Sequence, residues 1–198
     1  MQGNSVSFAQ HFRMLFKFSG REDRSSFWPY AAAVFGISMV LSMLAIVPSM
    51  FATMRSMQEY AEAHPENVTV TQGPGHYSIE MHGGDFAPDF GPMFWTMGLV
   101  FIVAVVLYAA AVVRRLHDTG RSGWWGLMPL PFIAFSLLVM PQVFASAGAG
   151  SEPDLGLFFA VFFSNMLYIV TLIILVVLLA IKSTAGPNRY GDSSQIGE

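Results

Sequence analysis

The sequence predicts an all-α membrane protein: four transmembrane helices, an N-terminal amphipathic helix, and both termini on the cytoplasmic side. Three observations carry this expectation. The composition is 54% hydrophobic with only 12% charged residues, about half of the ~25% charged fraction usual in soluble domains. Four long runs, at about 29–54, 90–113, 124–147 and 156–181, contain no charge, and each supplies the ~20 residues that cross a ~30 Å hydrocarbon core. Finally, the cations gather at one set of run ends. At 198 residues a single domain, 1–198, is expected. The absence of cysteine excludes a disulfide framework, a thiolate metal site and a cysteine nucleophile.

In chain order, residues 5–18 place Phe8, Phe12, Leu15 and Phe16 at i, i+4, i+7 and i+8, with Gln10, Arg13 and Lys17 opposite. That spacing predicts a cationic amphipathic helix. It either lies in the headgroup plane or packs as a short helix on the bundle. It does not read as a signal peptide, because the first apolar run starts late and is long. The stretch FSGREDRSSFWPY then brings Arg21 and Arg24, followed by Phe27, Trp28 and Tyr30, an aromatic belt at a span entrance. Pro48 is expected to bend or end the far part of the first span.

Residues 55–89 form an acidic extracytoplasmic loop. Glu59, Glu62, Glu66, Glu80, Asp85 and Asp89 face a single Arg55, with a short helix expected at 55–63 and an extended piece near 76–82. His64, His76 and His82 with Asp85 match no defensible metal-ligand spacing, so a solvated loop is preferred. Pro129, Pro131 and Pro141 leave the third span either complete or kinked and partly re-entrant.

Lys and Arg counting sets the orientation. Arg13, Lys17, Arg21, Arg24, Arg114, Arg115, Arg121, Lys182 and Arg189 share one face, against Arg55 alone on the other. Segments 20–28, 114–125 and 186–191 therefore meet the same surface of a bundle only ~20–25 Å across. They can form one composite patch of Arg21, Arg24, Arg114, Arg115, His117, Asp118, Arg121, Asn188, Arg189 and Tyr190. Each member also has a plain structural role open to it. The arginines can be stop-transfer anchors, Gly120 and Gly123 turn formers, Asp118 or Ser122 a helix cap, His117 a satisfied histidine, and the aromatics interfacial. Anchoring alone, however, requires charge and not this set of residue types.

In this order and at span ends, FSGREDRSSFW, RRLHDTGRSGWW and GPNRYG resemble the DUF805 family of small bacterial inner-membrane proteins, the YhaH-like proteins among them. The resemblance implies a multi-pass inner-membrane location and a compact helical fold. It implies no activity, since the family's function is not established. The acidic loop at 55–89 and the polar turn at 148–154 look like additions to the family pattern.

Arginines beside glycine-exposed backbone N–H groups suit an anion, and at a cytoplasmic surface the nearest anions are lipid headgroups. The preferred function is thus non-enzymatic: a patch engaging anionic lipid or a partner protein, with homo-oligomerisation open. A small transporter or channel subunit is the alternative, although no span run carries an Asp, Glu, His, Lys or Arg of the sort that ion-coupled carriers use. Asn165 in a span requires a partner. A membrane enzyme with His117 as base comes last, because adjacent helical residues point to different sides and Asp118 could not readily orient it. No cofactor, metal or nucleic-acid partner is implied. If an arginine contacts an anion bidentately, lysine should fail there; Arg114, nearest the span end, is expected to tolerate lysine, and at least one of Arg115 and Arg121 is not. Reporter fusions test the topology: fusions at residue 70 and at the C-terminus should report opposite sides, and the same side for both would refute it.

Overall fold

The computed structural model describes residues 8–81, 90–148 and 154–192. A short α1 (Phe8–Arg13) leads into α2 (Arg24–Ala63), followed by strands β1 (Val68–Gly73) and β2 (His76–Met81), then α3 (Gly91–Asp118), α4 (Leu130–Gly148) and α5 (Leu155–Ala180). One 3₁₀ turn, Pro65–Asn67, precedes β1, and another, Gly123–Leu127, precedes α4. Four helical stretches are long and apolar enough to cross a membrane. The protein is a multi-pass membrane protein.

Two expectations change. The first helix does not end near residue 54, and Pro48 does not break it. α2 runs unbroken for 40 residues, or about 60 Å at 1.5 Å per residue, twice the hydrocarbon thickness. Ser49 Oγ, next to Pro48, donates to the Ala45 carbonyl at 3.0 Å, the sort of local polar contact that accompanies proline in a span. Segment 55–63 is thus the end of α2 and not a separate helix. The extended piece is not single either. β1 and β2 pair antiparallel from Val68↔Met81 to Gly73↔His76 across Pro74–Gly75, a two-residue Pro-Gly turn. His82, Asp85 and Asp89 lie outside the described residues, as does most of the turn expected at 148–154. Among the described residues no group of three His, Asp or Glu is placed to hold a metal ion.

α1 is shorter than its amphipathic stretch. His11 is buried, while Phe12 and Phe16 are exposed, as are Gln10, Arg13 and Lys17. α2 packs along α3 and α4 along α5, and contacts between these two pairs are sparse. Where the pairs do meet, the buried core joins Phe27, Tyr30 and Val34 of α2, Ala111 and Leu116 of α3, and Leu175 and Leu179 of α5. No residue of α2 beyond Val34 is buried. Several polar groups within the spans bond neighbouring helices. Tyr30 and Tyr108 donate across the α2–α3 contact to the carbonyls of Leu107 and Ala31 at 2.8 and 2.7 Å. Between α4 and α5, Ser164 donates to the Phe132 carbonyl at 2.9 Å, and Asn165 Nδ2 donates to Ser136 Oγ at 3.2 Å and the Val161 carbonyl at 3.0 Å. The partner that Asn165 requires is therefore supplied by Ser136 of the neighbouring helix.

The third span is complete but begins as a 3₁₀ turn pressed onto α3. A Cβ on Gly123 would lie 2.8 Å from Val113 Cγ1 and 2.9 Å from Cγ2, and one on Gly126 would lie 3.0 Å from Val112 Cγ1. A valine is stiff at χ1 and cannot swing away. Gly123→Ala should therefore destabilise the protein by about 1–3 kcal/mol, the usual cost of overpacking. In thermal unfolding in detergent, adding Val113→Ala should restore the lost Tm. An unchanged Tm for Gly123→Ala alone would show that the contact yields.

Candidate functional site: a buried ionic hub

The C-terminal turn of α3 is the centre of the site. Arg114, Arg115 and Asp118 are all but inaccessible, as are Arg21, Glu22 and His11. α3 ends in a Schellman motif: the Gly120 N–H donates to the His117 carbonyl at 3.0 Å and the Arg121 N–H to the Leu116 carbonyl at 2.9 Å. Gly120 takes φ +74°, the left-handed conformation that this closure demands and that glycine adopts without strain. The chain leaves the helix sharply, and Ser122 caps the following 3₁₀ turn by accepting from the Trp124 N–H.

Consecutive residues on an α-helix diverge by about 100°, so the arginine pair reaches two ways. Arg114 reaches back to the N-terminal segment. Its Nε and Nη2 hold Glu22 Oε2 at 3.0 and 2.9 Å, and Nη1 donates to the Met14 and Lys17 carbonyls at 3.0 and 2.6 Å. The other carboxylate oxygen, Glu22 Oε1, lies 2.8 Å from His11 Nε2, and the His11 ring stacks on Tyr30 at 4.2 Å. Arg115 reaches α5. Nε donates to the Leu179 carbonyl at 2.9 Å and Nη2 to that of Ile181. The last carbonyls of a helix lack intrahelical partners and carry its negative dipole end, so Arg115 caps α5 from a neighbouring helix.

Asp118 closes the network. It accepts from Arg115 Nη1 and Ser183 Oγ through one oxygen and from Arg21 Nε at 3.1 Å through the other. Arg21 continues into the tail, donating to the carbonyls of Gly186 at 2.7 Å and Thr184 at 2.8 Å. The Thr184 N–H returns to the Asp118 carbonyl at 3.0 Å. The tail then makes a tight turn. Asn188 and Gly191 exchange both backbone bonds at 3.0 Å, and Asn188 Nδ2 donates to the His117 carbonyl and to Thr184 Oγ1, each at 2.9 Å. This turn stacks Tyr190 on His117 at 3.7 Å, with the Arg189 guanidinium 4.7 Å from the Tyr190 ring centroid.

Segments 20–28, 114–125 and 186–191 thus converge, but the ten candidate residues divide. Arg21, Arg114, Arg115 and Asp118 are inside the hub, and His117, Asn188, Tyr190 and Arg189 seal it. Arg21 and Arg115 share Asp118, so the acid that draws them together is internal. Arg121 does not join them; its guanidinium only reaches the Thr119 carbonyl at 3.4 Å. Arg24 is exposed and has no acidic partner among the described residues. His117 does not touch the Asp118 carboxylate, and its Nδ1 instead lies 3.3 Å from the Gly20 carbonyl, so no carboxylate orients it as a base. Sequence reasoning missed His11, Glu22, Ser183 and Thr184. Glu22 had a readable signal, since an acid between two arginines at a span end demands a charged partner. His11 had none.

Fold and site together define a multi-pass helical membrane protein whose helix ends are tied at one face by a buried ionic hub. The chain belongs to the family described as "Protein of unknown function (DUF805)", whose model matches residues 15–192. That span includes every side chain of the hub except His11. No curated protein matches the chain, and no solved structure does.

The geometry reverses the lysine expectation at Arg114 and assigns the intolerant position to Arg115 rather than Arg121. Arg114 and Arg115 each hold several acceptors in a dry site and should not tolerate lysine, whereas Arg121 should. Asp118→Asn would leave two buried guanidiniums short of a counter-charge, a loss of about 3–5 kcal/mol. Thermal unfolding should show a large fall in Tm for Asp118→Asn, Arg114→Lys and Arg115→Lys and none for Arg121→Lys. A stable Asp118→Asn protein would mean that the hub does not hold the fold together.

Proposed function

We propose that this is a non-enzymatic protein of the bacterial inner membrane whose cytoplasmic face binds anionic lipid headgroups. The observation that carries this reading is the division of the arginines. Three are consumed internally, whereas Arg13, Lys17, Arg24, Arg121, Lys182 and Arg189 stay at least partly exposed around them. The hub face holds these six cations against Asp23 and Asp192, which also lie outside the hub, while Glu22 and Asp118 are already paired. A surface of that sign at the end of a span is attracted to an anionic leaflet by about 1 kcal/mol per Lys or Arg. The exposed Trp28, Trp124 and Trp125 suit the headgroup layer. A catalytic role finds no support in the separation of His117 from Asp118.

Native mass spectrometry of the purified protein with added phosphatidylglycerol or phosphatidylethanolamine tests this. Replacing Arg13, Lys17, Arg121 and Lys182 together by glutamine should lower phosphatidylglycerol retention at least tenfold, leave phosphatidylethanolamine unchanged and keep Tm. Equal retention by wild type and variant would overturn the reading.

A further inference from the structure

The space between the two helix pairs is not filled by the protein. A cleft of about 660 Å³ opens there, within the ~300–1,000 Å³ range of small-molecule sites. Its walls belong to α2, α3 and α5, with Gly123 and Gly126 of the 3₁₀ turn forming part of the hub-end rim. Apart from Ser38, Tyr108 and Tyr168 the lining is apolar. On α5 the wall runs from Leu179 to Tyr168, roughly 16 Å at 1.5 Å per residue. That is the depth of one leaflet of a ~30 Å core.

We propose that this cleft holds one acyl chain of an anionic phospholipid whose phosphate pairs with Arg24 at the mouth. Depth argues for a chain: the wall reaches as far as an acyl chain does from the headgroup layer to the middle of the bilayer. Charge complementarity identifies the headgroup. Trp28, Ala31 and Phe35 line the cleft, and Arg24 precedes them at i−4, i−7 and i−11, on the same helical face. Arg24 is therefore the first side chain of α2 above the hub-end mouth, and its guanidinium has no acidic partner among the described residues. Arg121, two residues from Gly123, adds a second cation at the same edge. A guanidinium fork matches phosphate bidentately, while a largely apolar cleft gives water few partners. The choice of an anionic headgroup rests on the function proposed above; the occupancy of the cleft by a chain does not.

The test uses the full chain in phosphatidylethanolamine bilayers containing phosphatidylglycerol with a photoactivatable diazirine near the end of one acyl chain. The label should map to the cleft wall around Ala104, Tyr168 and Leu172. Unlabelled phosphatidylglycerol should compete about tenfold better than phosphatidylethanolamine. Arg24→Gln should abolish that preference while leaving cleft labelling and Tm in place, and Ala104→Phe should remove the cleft label. If Ala104→Phe fails to fold, the wild-type label map still decides. Label confined to outward-facing positions such as Leu44 and Val170 would overturn the cleft site and leave the cationic-face reading standing. Cleft labelling without any preference for phosphatidylglycerol would overturn the Arg24–phosphate pairing.

Discussion

Asp118 holds two guanidinium groups where water does not reach, and the rest of the structure depends on that contact. An unpaired buried charge costs several kcal/mol, and a buried pair repays its desolvation only when geometry and extra hydrogen bonds are both good. Here the extra bonds come from the ends of other elements. Arg115 takes the last carbonyls of α5, Arg21 those of the tail, and Arg114 those that follow α1. Each arginine therefore settles two debts at once, its own charge and a set of orphaned carbonyls. The three segments can be buried together or not at all, so the hub behaves as one cooperative unit whose single-site losses are not additive.

Within a bilayer this arrangement has more weight than it would in water. Lipid is as apolar as leucine, so helices gain little by hiding apolar surface from it, and small residues and polar contacts decide association. The molecule follows that rule. α2 and α3 are joined by reciprocal tyrosine-to-carbonyl bonds and α4 and α5 by Ser164 and Asn165. The two pairs are joined at the ionic hub and by the glycines that let the 3₁₀ turn press on α3. Away from these contacts the pairs separate, which is why an apolar cleft remains beside a tightly packed end.

Much of the architecture was legible in the sequence because it follows from local composition. Charge-free runs of sufficient length mark the spans. Gly120 marks a turn after α3, and three motif segments at like span ends can meet. The continuation of α2 through Pro48 and the strand pairing at 68–81 were less legible. A proline's effect depends on whether neighbouring groups absorb it, and a hairpin is a relation between two segments, neither of which is strongly patterned alone.

The sequence by itself determined where the chain crosses the bilayer and which residues crowd one end, because hydrophobic length and charge placement act residue by residue. Only the tertiary structure decided which charges are buried in the hub and which stay at its surface. Arg114, Arg115 and Arg121 look alike in RRLHDTGR. Yet one residue's difference in helical phase sends Arg114 to Glu22 and Arg115 to Asp118, while the turn at Gly120 carries Arg121 out of the hub. Whether an arginine is buried is settled by the acid and carbonyls that distant segments bring to it, and no local pattern records that.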